Sequence, residues 1–205
     1  VVLTGWPNYP EGQIFSDFRG NPRGFDEYEG AMVVRVPMLP RGQGGVRLML
    51  NYLTFALSAS FLGPWRLRRC RFDAILAYEP SPITVGIPAA VLRAFKKAPL
   101  AFWVLDLWPE TLQAIGAVRS RFMLQLVGKL VASIYKRCDL ILAQSKSFVA
   151  PIARYAGKGA RIEYFPSWAE SVFNTQDVLP APEIPLKSGS FTILFAGNIG
   201  DAQDF

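Results

Sequence analysis

Apolar residues in this chain fall into short unalternating runs, separated by longer stretches with helical spacing. Seven runs are rich in Val, Ile, Leu and Phe: Val1–Thr4, Met32–Val36, Asp73–Tyr78, Leu100–Leu105, Leu140–Ala143, Arg161–Phe165 and Phe191–Ala196. Runs of this length without alternation predict strands buried on both faces, as in a parallel sheet. Between them lie helical patterns. The clearest is Arg121 to Arg137, where Met123, Leu126, Val127, Leu130, Val131 and Ile134 form one stripe. Ser120 can cap its start, and Lys136 and Arg137 suit its C-terminal dipole. Pro82 to Lys97 is apolar nearly all round, with Pro88 marking a kink or the true start. Lys146 to Tyr155 predicts a shorter helix. Strands alternating with helices imply an α/β, Rossmann-like domain with a parallel sheet.

Val46 to Leu62 is the longest apolar stretch, but Arg47, Asn51, Thr54, Ser58 and Ser60 interrupt it. No run of eighteen uninterrupted apolar residues occurs in the sequence, so no spanning helix is required. Gly63-Pro64-Trp65 and four arginines follow. Two readings stand together: a helix covering the sheet, or an amphipathic helix at a membrane interface.

Trp6 to Gly30 reads as a long loop rich in Pro, Gly, Asn and Asp, and such loops are usually functional or disordered. Met38 to Gly45 is a second loop. Its glycines at 42, 44 and 45 either approach a phosphate or simply give flexibility. Pro180, Pro182, Pro185 and Gly189 punctuate polar sequence at 168–190, which reads as an interdomain linker. Residues 191–205 then read as a strand and a glycine turn, the layout of a phosphate-cradling βα turn. The sequence is therefore expected to be a piece of a longer protein.

The 205 residues are 51% hydrophobic, enough for one full core. The net charge is +6, with basic clusters at Arg66, Arg68, Arg69 and Arg71 and at Arg93, Lys96 and Lys97. Such clusters suit phosphates or an anionic membrane surface, or form a solvated basic face. The aromatics do not interleave with them, which argues against nucleic acid. There is no histidine, which removes His triads, His zinc sites and a His base from these residues. Cys70 and Cys138 lack metal spacing and fit reduced cytoplasmic thiols.

Ligands of open parallel sheets bind beyond the carboxyl ends of the strands. Three such ends carry polar residues: Tyr78-Glu79-Pro80-Ser81-Pro82, Leu105-Asp106-Leu107-Trp108-Pro109-Glu110 and Gln144-Ser145. Asp106 and Glu110 are the acid or base candidates. The structural alternative makes Asp106 a cap for a helix near Pro109 and Glu110 a first-turn acid. Glu79 carries the same two readings. Gly197-Asn198-Ile199-Gly200 is not GxGxxG, but it can hold a nucleotide diphosphate at a helix N-terminus.

Several segments resemble bacterial glycosyltransferases of family 4, with the two-domain GT-B fold: Leu3-Thr-Gly-Trp-Pro-Asn-Tyr-Pro-Glu-Gly12, Leu50-Asn-Tyr-Leu-Thr-Phe55, Tyr78-Glu-Pro-Ser-Pro82, Trp103-Val-Leu-Asp-Leu-Trp-Pro-Glu110, Phe165-Pro-Ser-Trp-Ala-Glu170 and Phe195-Ala-Gly-Asn-Ile-Gly-Asp-Ala-Gln-Asp204. Among these, the chain resembles surface-polysaccharide transferases of the fucosamine-transferase type. The resemblance implies an acceptor-binding domain over 1–167, lacking its first strand and the following glycine loop. A linker over 168–190 then leads to the first strand and turn of a nucleotide-sugar domain over 191–205. It implies a hexosyltransferase acting with retention and without metal or other cofactor, the nucleotide sugar being a substrate. Asp106 and Glu110 match the family's catalytic-side segment; Asn8, Tyr9, Glu79 and Ser81 fall beside the acceptor. Gly197, Asn198 and Gly200 would lie at the donor diphosphate. The acceptor would be a polyprenyl-diphosphate-linked saccharide at the inner face of the cytoplasmic membrane. Half of the cleft would lie outside these residues, so they are expected to be inactive alone. Two other functions fit the same pattern: a nucleotide-sugar epimerase of similar shape, and a non-catalytic membrane-associated binding domain.

Overall fold

The computed structural model describes residues 1–42 and 44–169, with isolated positions between 189 and 197. The chain divides into two compact units, Val1–Pro166 and Ser167–Phe205, and all the described helices and strands lie in the first. The expected linker and the strand and turn expected over 191–200 fall largely outside the described residues. Gly197 sits in a bend; Asn198 and Gly200 lie outside.

In chain order the elements are β1 (Val2–Gly5), α1 (Ser16–Gly20), β2 (Glu27–Tyr28), β3 (Ala31–Val36), α2 (Gly45–Arg66), β4 (Ile75–Glu79), α3 (Gly86–Lys96), β5 (Leu100–Val104), α4 (Glu110–Ala114), α5 (Arg121–Tyr135), β6 (Leu140–Ala143), α6 (Val149–Ala156) and β7 (Ile162–Tyr164). The strands form two sheets, in the orders β1-β3-β2 and β4-β5-β6-β7. The second is parallel throughout, and β2 alone runs antiparallel, against β3. The architecture is the α/β, Rossmann-like one expected.

Each of the six expected strands within the described residues is present, with ends shifted by no more than two residues. The parallel register aligns Glu79 with Val104, Val104 with Ala143, and Ala143 with Tyr164. The loops after β4 to β7 therefore leave from one edge. The core sits between that sheet and the helices behind it, around Phe102, Val104, Val131, Ile134 and Ile152. Trp103 closes the other side. Its ring meets Tyr78 and Phe165 edge-on, and its indole N–H donates to the Phe165 carbonyl at 3.1 Å.

α2 packs on β1 and β3 of the first sheet and against α3. Gly44, at φ 88°, turns the chain into it. At its far end the Lys96 ammonium of α3 donates to the carbonyls of Leu67 and Cys70. That satisfies acceptors a helix terminus leaves open. Among the described residues β1 and β4 each have a single strand neighbour. A gap between their facing edges lies under Phe55 of α2 and Leu92 of α3.

Three expectations need correction. The stretch from Trp6 to Gly30 is not structureless. It holds α1, a 3-10 turn over Pro22–Phe25 and β2, organised around buried Phe18, which packs on Trp6 and Phe25. Scattered turn residues hid that aromatic cluster from a periodicity reading. The stripe on α5 is only half covered: Val131 and Ile134 are buried, but Met123 and Leu126 are exposed. The second basic cluster is largely structural. Arg93 makes a bidentate pair with Asp139 at 2.8 Å, and Lys96 caps α2. The Asp139 carboxyl falls to about 2 through its bonds from Arg93 and the Leu100 amide.

Pro88 sits in the first turn of α3, as a start rather than a kink. Gly86, just before it, has almost no room. A Cβ there would lie 2.4 Å from Ile134 Cγ2 and 3.1 Å from the Phe102 ring. Both neighbours are buried. Overpacking costs about 1–3 kcal/mol, more than the roughly 1 kcal/mol of helix propensity that alanine gains over glycine. Gly86→Ala should therefore lower the denaturant midpoint; a midpoint equal to or above wild type would show that α3 can lift off α5 freely.

Candidate functional site

Polar groups gather where the loops leave the carboxyl ends of β1, β3, β4 and β5. The loop after β1 is held by Asn8, which is buried. Its amide donates to the Trp6 carbonyl, and its Oδ1 accepts from the Arg41 amide, each at 2.8 Å. Gly12 brings the same two loops together. It has φ 73°, and a Cβ there would fall 1.7 Å from the Arg41 carbonyl oxygen. The inner face of α2 clamps the loop after β3. Asn51 donates to the Leu39 carbonyl at 2.6 Å, and the Leu39 amide donates to Thr54 Oγ1 at 3.0 Å.

These constraints leave Asn8, Tyr9, Arg41, Tyr52 and Ser81 around one end of the cavity between the sheets. The Arg41 guanidinium stands 5.4 Å from the centre of the Tyr9 ring. The Tyr52 hydroxyl meets the Ser81 side chain. Burial raises Tyr52, and the charge on Arg41 and the bond to Ser81 oppose that rise. Ser81 itself has φ 136°, a conformation that costs energy in an L residue and is held by its surroundings.

The carboxylates divide into three environments. Asp106 is well supplied with donors: Trp108 Nε1 at 3.1 Å to Oδ2 and the Thr111 hydroxyl at 2.5 Å to Oδ1. It does not cap α4, whose flanking residue is Pro109 and which has no side-chain cap. Glu79, on the last rung of β4, is fully buried, and neither carboxylate oxygen has a hydrogen-bond partner. Burial, then the neighbouring Asp106 charge, push its carboxyl up to about 9. The Asp106 and Leu105 amides lie close enough to offset part of that rise without completing a bond. Glu79 is thus a neutral acid at pH 7. Glu110 opens α4 and turns toward Tyr155 of α6, with Oε2 buried and unpartnered. Among the described residues no three His, Cys, Asp or Glu side chains come together to hold a metal ion.

Residues 1–168 match the glycosyl transferase 4-like domain. The chain belongs to that family. It is therefore a glycosyltransferase domain, and its substrates are a sugar donor and an acceptor. No curated protein matches it significantly.

Of the residues singled out from sequence, this glycosyl transferase 4-like domain brings Asn8, Tyr9 and Ser81 to one cavity. It sets Glu79 in the interior beside Asp106, and it turns Glu110 away toward α6. Arg41 and Tyr52 were missed. Arg41 lies in the glycine-rich loop after β3 and Tyr52 in the long apolar stretch, and only the clamping of that loop onto α2 carries them to the cavity. Tyr52 sits inside Leu50-Asn-Tyr-Leu-Thr-Phe55, so the family motif was the available signal.

Glu79 gives the domain a measurable pH dependence. Its folded value of about 9 lies above the usual 4.5 of a carboxyl. Between those values the folded state binds more protons than the unfolded state, so stability falls as pH rises from about 5 toward 9. The slope reaches at most about 1.4 kcal/mol per pH unit. Glu79→Gln keeps the shape without the ionisable proton. Denaturant midpoints measured from pH 5 to 8 should fall in wild type relative to the variant; parallel curves would mean that Glu79 is charged in the fold.

Proposed function

We propose that this domain is the acceptor-binding half of a retaining, metal-free hexosyltransferase of surface-polysaccharide synthesis, resembling fucosamine transferases. The observation that carries the reading is the group of Asn8, Tyr9, Arg41, Tyr52 and Ser81 around one cavity at the carboxyl ends of the strands. Hydroxyl and amide groups of this kind suit sugar hydroxyls. Arg41 supplies a permanently charged donor suited to the diphosphate of a polyprenyl-linked acceptor.

In this reading Asp106 is the general base. Its charge acts on Tyr52, which lines the cavity. Each carboxylate oxygen has a second acceptor site beyond the donors already bound, so an acceptor hydroxyl can still bond to it. Glu79 and Glu110 then act from behind, Glu79 through the loop that carries Asp106 and Glu110 through the start of α4. The donor diphosphate would rest on Gly197, Asn198 and Gly200, where backbone N–H groups stabilise the departing charge without a metal. Reaction takes place at the inner face of the cytoplasmic membrane and needs a nucleotide-sugar domain opposite this one.

Acceptor binding can be tested on the chain itself. Titration with a short-chain polyprenyl-diphosphate saccharide should show saturable binding, weakened about tenfold or more by Arg41→Ala and less by Tyr52→Phe. Both variants should keep the wild-type circular dichroism spectrum. Unchanged affinity in Arg41→Ala would remove the cavity as the acceptor site. With the nucleotide-sugar domain present, label from a nucleotide sugar should pass to the lipid; interconversion of the free nucleotide sugar without acceptor would instead make the protein an epimerase.

A further inference from the structure

Helix α2 is turned inside out. A helix on a water-soluble domain buries its large apolar side chains and shows its small or polar ones to solvent. Here the buried residues are Asn51, Ala56, Ala59 and Gly63. The outward face carries Val46, Leu53, Leu57, Phe61 and Trp65, and Phe61 is 76% exposed. These recur at spacings that place them along one side of the helix, over about 30 Å. Phe95 of the adjoining helix α3 is also 70% exposed. A continuous apolar surface of this extent marks an interaction site.

Charge identifies the partner. From residue 31 to residue 72 the chain has seven arginines and no acidic residue. Arg47 lies at the start of α2, and Arg66, Arg68, Arg69 and Arg71 at and beyond its end, all exposed. The Arg68 guanidinium stacks 4.8 Å from the centre of the Trp65 ring and donates to the Trp65 carbonyl. Arg66 donates to the Arg35 carbonyl of β3, which keeps it at the helix end. An apolar ridge ended by a Trp and ringed by guanidinium groups has the chemistry of the boundary between acyl chains and anionic headgroups. The helix is long and apolar enough to span a bilayer, but its inner face packs on β1, β3 and α3. It can therefore lie along a membrane without leaving the fold.

We infer that the outer face of α2, with Phe95, docks the domain onto an anionic lipid bilayer. The inner face of the same helix presents Tyr52 to the cavity. A lipid-linked acceptor would thus need to travel only around one helix from bilayer to site. The inference deepens the proposed function by naming the surface that meets the membrane. Its test involves no sugar or acceptor, so the two can fail separately.

The test is co-sedimentation of the whole chain with phosphatidylcholine vesicles, with and without phosphatidylglycerol. Wild type should bind the anionic vesicles, and binding should weaken in high salt and on pure phosphatidylcholine. The double variant Leu57→Glu, Phe61→Glu should lose at least about tenfold in partitioning. Arg68→Ser with Arg69→Ser should lose about tenfold on anionic vesicles only. All these positions are exposed, so thermal midpoints should stay near wild type and show that the variants fold. Equal partitioning of wild type and the Glu variant would overturn the inference. So would absence of vesicle binding together with a dimer, seen by light scattering, that the Glu variant splits: the ridge would then be a protein interface.

Discussion

A parallel strand covered on both faces has no place along its length for a polar side chain. Strand β5 is in that position: Leu100, Phe102 and Val104 are completely buried and Trp103 nearly so. Its first carboxylate, Asp106, can appear only past the last rung, where Trp108 and Thr111 supply donors. The parallel register brings the ends of β4, β6 and β7 to the same line. Confining the polar chemistry to one edge is thus the cost of burying the sheet, and that edge is where the site forms. Glu79 shows the constraint from the other side. It stands inside the covered region, where burial and the neighbouring Asp106 charge make it keep its proton.

Helix α2 connects this edge to the rest of the molecule. Through Asn51, Thr54 and Ser58 it bonds to the loop after β3, fixing Pro37 to Leu39 in place. That loop in turn holds Asn8 through the Arg41 amide. The small side chains on the same face let the helix lie close to β1 and α3. Gly63 leaves only 3.0 Å between a would-be Cβ and Leu3 of β1. With much of the inner face given over to close approach and hydrogen bonding, Val46, Leu53, Leu57, Phe61 and Trp65 of α2 are left on the outside. Site geometry and surface character therefore come from one packing decision.

The strands were legible because burial on both faces demands unbroken apolar runs, and such runs are visible in one dimension. The helix α5 and its Ser120 cap were legible for a similar reason, since both are local in sequence. Asn8, Tyr9 and Ser81 were found through family motifs at strand ends. Local pattern failed where aromatic contacts join distant turns, as with Trp6, Phe18 and Phe25. It failed also for Arg93 and Lys96, which read as a basic surface but serve Asp139 and the end of α2.

The sequence alone determined the α/β class, the strand positions and the basic balance, because each follows from composition or from spacing along the chain; the family came through its motifs. Only the tertiary structure decided which polar residues share a cavity, that Glu79 is buried beside Asp106, and that α2 turns its large side chains outward. Those outcomes depend on the distance between segments far apart in sequence. A periodic pattern shows that a helix has an apolar side, but only the packed neighbours determine whether that side faces the core.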